Sequence, residues 1–179
     1  MESAFGSHRA LFLAIHRVIH RTKWDLNLST IHSMFFRMGF GPKWLSPVAL
    51  YGILTRHFAI DKNTVLVDAL PNLYEKAVTA TMCGCKYATL DGSGPPSEMA
   101  SRIGLIQCQA TEPYDLTVFA SAYKYWRIGA LKELREKSTR MLAIMNEKKL
   151  PQALELATPT KIVEIRGTPG KKHYALIYS

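Results

Sequence analysis

Residues 77–90, AVTATMCGCKYATL, set Val78, Ala80 and Met82 against Thr79, Thr81 and Cys83. A period of two is the mark of a half-buried strand, so this stretch predicts a sheet through the middle of the chain. RIGLIQCQA (residues 102–110) is apolar and strand-like, and LTVFASAYKYW (116–126) alternates Leu116, Val118, Ala120 and Ala122 against Phe119, Tyr123 and Tyr125. DGSGPPSE (91–98) reads as an exposed loop from its Gly and Pro density, and TEPYD (111–115) as a turn.

Helical signals flank this region. Ser29 can cap a short helix carrying Ile31, Met34, Phe35 and Met38 on one face, which Gly39 and Gly41 would stop. Ser46 followed by Pro47 opens a second, with Val48, Tyr51, Leu54 and Phe58 aligned. TVLVD (64–68) follows as a short strand after the turn Asp61-Lys62-Asn63. Ile128 to about Lys148 predicts a long helix that buries Ile128, Leu131, Leu134, Met141, Leu142 and Met145, pairs Lys132 with Glu136 and Glu133 with Lys137 outside, and ends at Pro151. KIVEIR, GTPGKK and HYALIY predict a terminal hairpin. The expected fold is α+β: a short basic leader (1–9), then one compact domain (10–179) with a mostly antiparallel sheet packed with two to four helices.

At 179 residues and 47% apolar content the chain can bury a core without staples. No run reaches the roughly 18 uncharged apolar residues of a membrane span. Cys83, Cys85 and Cys108 are an odd set without disulfide-framework spacing and read as buried, reduced thiols. The net charge of +9 is uneven: residues 1–60 carry seven basic against two acidic side chains, residues 161–179 four against one, and the stretch between them twelve against eleven. Five of the six histidines also fall in the first 60 residues. Basic ends around a near-neutral middle point to a polyanionic partner.

AIHRVIHR (14–21) is the other patterned stretch. On a strand, Ile15, Arg17, Ile19 and Arg21 face one side and His16, Val18 and His20 the other. On a helix, Ile15 and Ile19 are buried under a stripe of His16, Arg17, His20 and Arg21. Either way the stretch reads as a binding face. His16 and His20 have metal-ligand spacing, but Arg17 stands where the H-E-x-x-H pattern needs its glutamate, and no further ligand is in view. Neither DGSGPP nor GTPGKK has phosphate-loop spacing, and no carboxylate pair or nucleophile motif appears. The expectation is a protein that is not an enzyme, with neither metal nor cofactor.

Three stretches, LFLAIHRVIHR, VTATMCGCKYATLDGSGPPSEM and RIGLIQCQATEPYDLTVFASAY, in this order resemble the matrix proteins of rhabdoviruses, loosely over residues 10–145. The resemblance implies a virion protein between nucleocapsid and envelope, cytoplasmic or membrane-associated in the host. Such a protein condenses the nucleocapsid, associates with itself in a homo-oligomer or lattice, and meets an anionic membrane and a glycoprotein tail. The short leader MESAFGSHR is not lysine-rich and PPSE is not a PPxY budding motif, which favours a plant or insect member. Expected contacts with anionic partners are Arg9, His16, Arg17, His20, Arg21, Lys23, Lys171 and Lys172. The expected self-association loop is Asp91, Gly92, Ser93, Gly94, Pro95 and Pro96. The alternative is a basic nucleic-acid-binding regulatory or movement protein, in which Tyr123, Tyr125 and Trp126 would stack on bases.

Overall fold

The computed structural model describes residues 47–70, 75–92, 94–95, 97–120, 128–166 and 172–179. Pro47–His57 forms α1, entered through the proline that the sequence places at its start. Val65–Asp68 is β1, Glu75–Cys83 α2, Lys86–Thr89 β2, Ser97–Ile103 α3, Ile106–Gln107 β3 and Tyr114–Ala120 β4. Ala130–Lys137 is α4, Ser138–Asn146 β5, and Leu150–Leu156 α5 after one turn of 3-10 helix. Lys161–Arg166 (β6) and Lys172–Tyr178 (β7) close the sheet as the antiparallel pair expected of KIVEIR and HYALIY.

The strands lie in the order β3-β2-β1-β4-β5-β7-β6. β3, β2, β1, β4 and β5 are parallel neighbours, and β7 runs antiparallel between β5 and β6. This overturns the expected α+β fold with a mostly antiparallel sheet. The sheet is mixed and mostly parallel, and both of its faces are covered. On one face α1 (Leu50, Leu54), α2 (Ala77, Ala80) and α3 (Ala100, Ile103) pack on Leu66, Tyr87, Leu116, Val118 and Leu142. On the other, α4 (Leu131, Leu134) and α5 (Ala153) pack on Phe119, Met141, Ala143, Met145 and Leu176. The arrangement is a doubly wound α/β sheet whose first five strands follow the order typical of that class.

Residues 77–83 are helical, not a strand. α2 lies between α1 and the sheet and is buried on nearly every side, Thr79 included, so no polar face exists to mark a 3.6-residue period. The Thr79 hydroxyl donates to the Glu75 carbonyl at 2.7 Å, which removes the cost of burying it. α2 and α3 then end in the same way. Gly84 and Gly104 take positive φ, and the amides of Gly84 and Cys85 bond the carbonyls of Thr81 and Ala80, as those of Gly104 and Leu105 bond Ser101 and Ala100. Both are Schellman turns with a buried residue, Cys85 or Leu105, just after the glycine. RIGLIQCQA is therefore the end of α3, a turn and the short β3.

The long helix expected from Ile128 to Lys148 stops at Lys137, and Pro151 lies in the first turn of α5. Ser138 ends α4: its amide bonds the Arg135 carbonyl, its hydroxyl donates to the Leu134 carbonyl at 2.5 Å and also meets the Thr117 hydroxyl on β4 at 2.6 Å. Met141, Leu142, Ala143, Ile144 and Met145 are then a strand buried on both faces, which a periodicity rule cannot tell from a buried helix. Of the two expected pairs on α4, Glu133 with Lys137 is present at 3.2 Å.

Candidate functional site at the carboxyl edge of the sheet

In a doubly wound sheet the chain leaves β1 toward β2 and β3 on one side and returns to β4 on the other. The crevice outside the carboxyl ends of β1 and β4 is then where ligands bind. Asp68 is the last residue of β1 and Ala120 the last of β4. The side chain that joins them is Lys76, from the first turn of α2 and fully buried. Its Nζ lies 2.9 Å from the Leu70 carbonyl oxygen, 3.0 Å from that of Ala120, 3.0 Å from Glu75 Oε1 and 3.1 Å from Asp68 Oδ1. Asp68 Oδ1 also accepts the Leu70 amide at 2.9 Å, and Oδ2 accepts the Tyr87 hydroxyl at 2.9 Å.

Glu75 is as buried as Asp68 but has fewer donors: Oε1 meets Lys76, and Oε2 has no hydrogen-bond partner among the described residues. Burial pushes both carboxyls above the usual range, against the pull of the Lys76 charge. With a phenol, an amide and an ammonium on Asp68, Glu75 is the carboxyl better suited to hold a proton. Burial, and then the Asp68 charge with Glu75 and Asp91 adding to it, pushes the Tyr87 phenol up.

These shifts have a signed consequence. A carboxyl whose pKa is raised by folding binds more protons in the folded than in the unfolded chain, so its contribution to stability falls as pH rises through the raised value. We expect the urea midpoint to decline as pH rises above the ordinary carboxyl range, and Glu75→Gln to flatten that decline. Equal slopes in the two proteins would assign the proton elsewhere.

Tyr87 links this cluster to an open cleft of about 410 Å³. The cleft lies at the carboxyl ends of β2 and β3, between Thr89, Leu90 and Gly92 on one side and Gln107, Cys108 and Ala110 on the other. Gln107 Nε2 donates to the Pro95 carbonyl at 2.7 Å and ties the 91–96 loop to β3. Pro95 is buried there while Asp91 and Gly92 are exposed, so the stretch expected to be an exposed loop is folded over the sheet edge in part. Ser93 and Pro96 lie outside the described residues.

No family model matches the chain, and no curated protein matches it. Among solved structures, the C-terminal domain of precorrin-6Y C5,15-methyltransferase from Rhodobacter capsulatus is similar, at 12% identity and a TM-score of 0.49, with 73% of this chain and 88% of that one covered. A likeness at that level says nothing of what this chain binds. The doubly wound assignment rests on the strand order and directions themselves.

Of the residues expected to meet anionic partners, Lys172 is described: it is exposed at the start of β7, 4.0 Å from Glu164. Arg9, His16, Arg17, His20, Arg21, Lys23 and Lys171 lie outside the described residues, as do the 1–9 leader, the Ser29 helix and the aromatics Tyr123, Tyr125 and Trp126. Cys83, Cys85 and Cys108 are free thiols; Cys85 is buried and Cys108 exposed, Cys108 lining the cleft. Among the described residues no group of three His, Cys, Asp or Glu side chains is placed to hold a metal ion, and no helix is long and apolar enough to cross a membrane. Sequence reasoning missed Asp68, Glu75, Lys76 and Tyr87, because no local spacing marks a cluster that the pairing of β1 with β4 assembles.

Proposed function

We propose that this chain is a ligand-binding α/β domain that takes a nucleoside without phosphate groups at the carboxyl ends of β1, β2 and β3. The observation that carries the reading is the cleft at the carboxyl ends of β2 and β3, lined by Leu90 and Gly92 on either side of Asp91, which stands just past the end of β2. In doubly wound sheets an acidic residue about 20 positions after the first βα turn accepts hydrogen bonds from ribose hydroxyls. Asp91 stands at that distance beyond Asp68 and Ala69. The phosphate half of the usual arrangement is missing. Residues 69–74, ALPNLY, contain no glycine to let a pyrophosphate approach the backbone. A neutral or cationic nucleoside, adenosine or S-adenosylmethionine, suits this edge better than NAD or ATP. The expectation of no enzyme rested on missing motifs, and a doubly wound sheet places ligands by backbone geometry as much as by motif.

Isothermal titration of the full chain with adenosine, S-adenosylmethionine and NAD tests the reading. Adenosine or S-adenosylmethionine should bind and NAD should not. Asp91→Ala should weaken binding by about 10- to 100-fold, the worth of hydrogen bonds to a charged acceptor. Binding that is unchanged in Asp91→Ala removes the ribose assignment.

A second reading, the matrix-type protein coating a nucleocapsid or anionic membrane, has one local observation in its favour. Arg56 and His57, at the end of α1, lie close enough to Lys161 on β6 that the two cations, after burial, hold the His57 imidazole below its ordinary value. This makes a small basic patch on a chain of net charge +9. Arg56→Glu with Lys161→Glu should then reduce flotation with anionic liposomes and remove its salt dependence, each charge near the surface being worth about 1 kcal/mol. Undiminished flotation would leave the patch without a role.

A further inference from the structure

We propose that the ammonium of Lys76 permanently occupies the switch-point crevice between β1 and β4, so that a ligand of this domain is held in the β2–β3 cleft alone. The inference rests on the nucleoside reading above and narrows it to the nucleoside half of the ligand. A doubly wound sheet leaves a crevice where β1 and β4 part, since the chain turns away from it on both sides. Here that point is closed by a side chain of the same chain. Nζ touches groups from both edges, Asp68 of β1 and Ala120 of β4, and two from the connection and helix between them, Leu70 and Glu75.

Four acceptors surround a group that has three protons to donate. Two of the acceptors are carboxyls and two are carbonyls, the chemistry of a site for a primary ammonium ion. Its occupant is covalently fixed, fully buried, and shares the pocket with carboxyls that burial already disfavours as anions. A second cation entering beside it would meet a like charge in a dry site, and an anion would meet Asp68 and Glu75. Tyr87 forms the wall between the two compartments: its hydroxyl is on Asp68 while its residue lines the cleft. Lys76 is thus a specificity-determining residue, one that limits how far a ligand can extend toward β4.

Two measurements test this on the full chain. Titration calorimetry of the wild type should give dissociation constants for adenosine and S-adenosylmethionine within about threefold of each other, because the amino-acid end finds no site. A preference for S-adenosylmethionine larger than about threefold overturns the inference, whatever the second measurement gives. If neither nucleoside binds, the functional reading fails and the occupancy of the crevice is decided by the second measurement alone.

That second measurement is thermal melting of Lys76→Ala with n-propylammonium, which supplies the three carbons and the head group that the substitution removes. The melting temperature should rise by about 3–6 °C at ten times the dissociation constant. Tetramethylammonium, which has no N–H donor, should have no effect, nor should propylammonium on the wild type or on Lys76→Ala combined with Asp68→Asn. If Lys76→Ala does not fold unaided, its refolding yield with and without propylammonium reads the same quantity. No gain in either form, or an equal gain in the wild type, overturns the inference.

Discussion

Lys76→Met should lower the unfolding free energy by about 3–5 kcal/mol, the range for removing one partner of a buried ion pair. The methionine fills much of the same volume, so the loss is electrostatic more than steric. Asp68 keeps its bonds from Tyr87 and Leu70 but loses the buried cation, and the carbonyls of Leu70 and Ala120 lose their donor. Urea denaturation at pH 7 gives the number. Adding Asp68→Asn to Lys76→Met removes the stranded anion and should recover most of the loss, because Glu75 can take up a proton in place of a counter-ion. A double variant no more stable than Lys76→Met alone would mean that the carbonyl contacts, and not the ion pair, carry the effect.

The same cluster illustrates what the sequence held and what it concealed. Glu75-Lys76 looks like an ordinary exposed start to an element, since adjacent opposite charges are common on surfaces. Only the return of β4 to lie against β1, a pairing of residues 50 apart such as Leu66 with Leu116, takes both side chains out of water. Local signals with a local cause were legible: Pro47 opens α1, TVLVD holds β1, and the terminal pair of strands is where KIVEIR and HYALIY put it. α2 was concealed because burial on all sides removes the polar stripe by which a helix is recognised, leaving an accidental alternation of Thr with Val, Ala and Met. The glycines were the surviving clue. Gly84 and Gly104 each follow a run of seven or more residues and precede a buried residue and a strand, a helix-stop signature that outweighs the apparent period of two.

The cleft was not legible, because its two walls come from segments that read separately as a strand and a loop. Residues 87–90 with Gly92 and Gly94 meet Gln107 through Ala110 only because β3 lies beside β2 in parallel. Parallel pairing itself follows from α3 being a helix, since a parallel neighbour needs a crossover connection. A strand at RIGLIQCQA would instead pair as an antiparallel hairpin, in which this cleft does not form.

Ala143→Glu should be the most damaging substitution in the second half of the chain, at about 4 kcal/mol or more, and it separates the observed strand from the helix that the sequence suggested. On a helix running from Ile128 to Lys148, Ala143 lies off the face of Leu131, Leu134, Met141, Leu142 and Met145, and a glutamate there would sit in water at a cost within about 0.5 kcal/mol. On β5 the same residue is fully buried, pairs with Phe119 on one side and Leu176 on the other, and faces the cluster under α4 and α5. A carboxylate placed there would enter a cluster built from the buried apolar side chains of Phe119, Leu131, Leu134, Met141 and Leu176. It must either stay protonated or force β5 away from its neighbours. Ala143→Ser is the control, because a small hydroxyl can share a backbone carbonyl and should cost about 1–3 kcal/mol. A glutamate variant that melts within a few degrees of wild type would mean that residues 138–146 are not the central strand of this sheet.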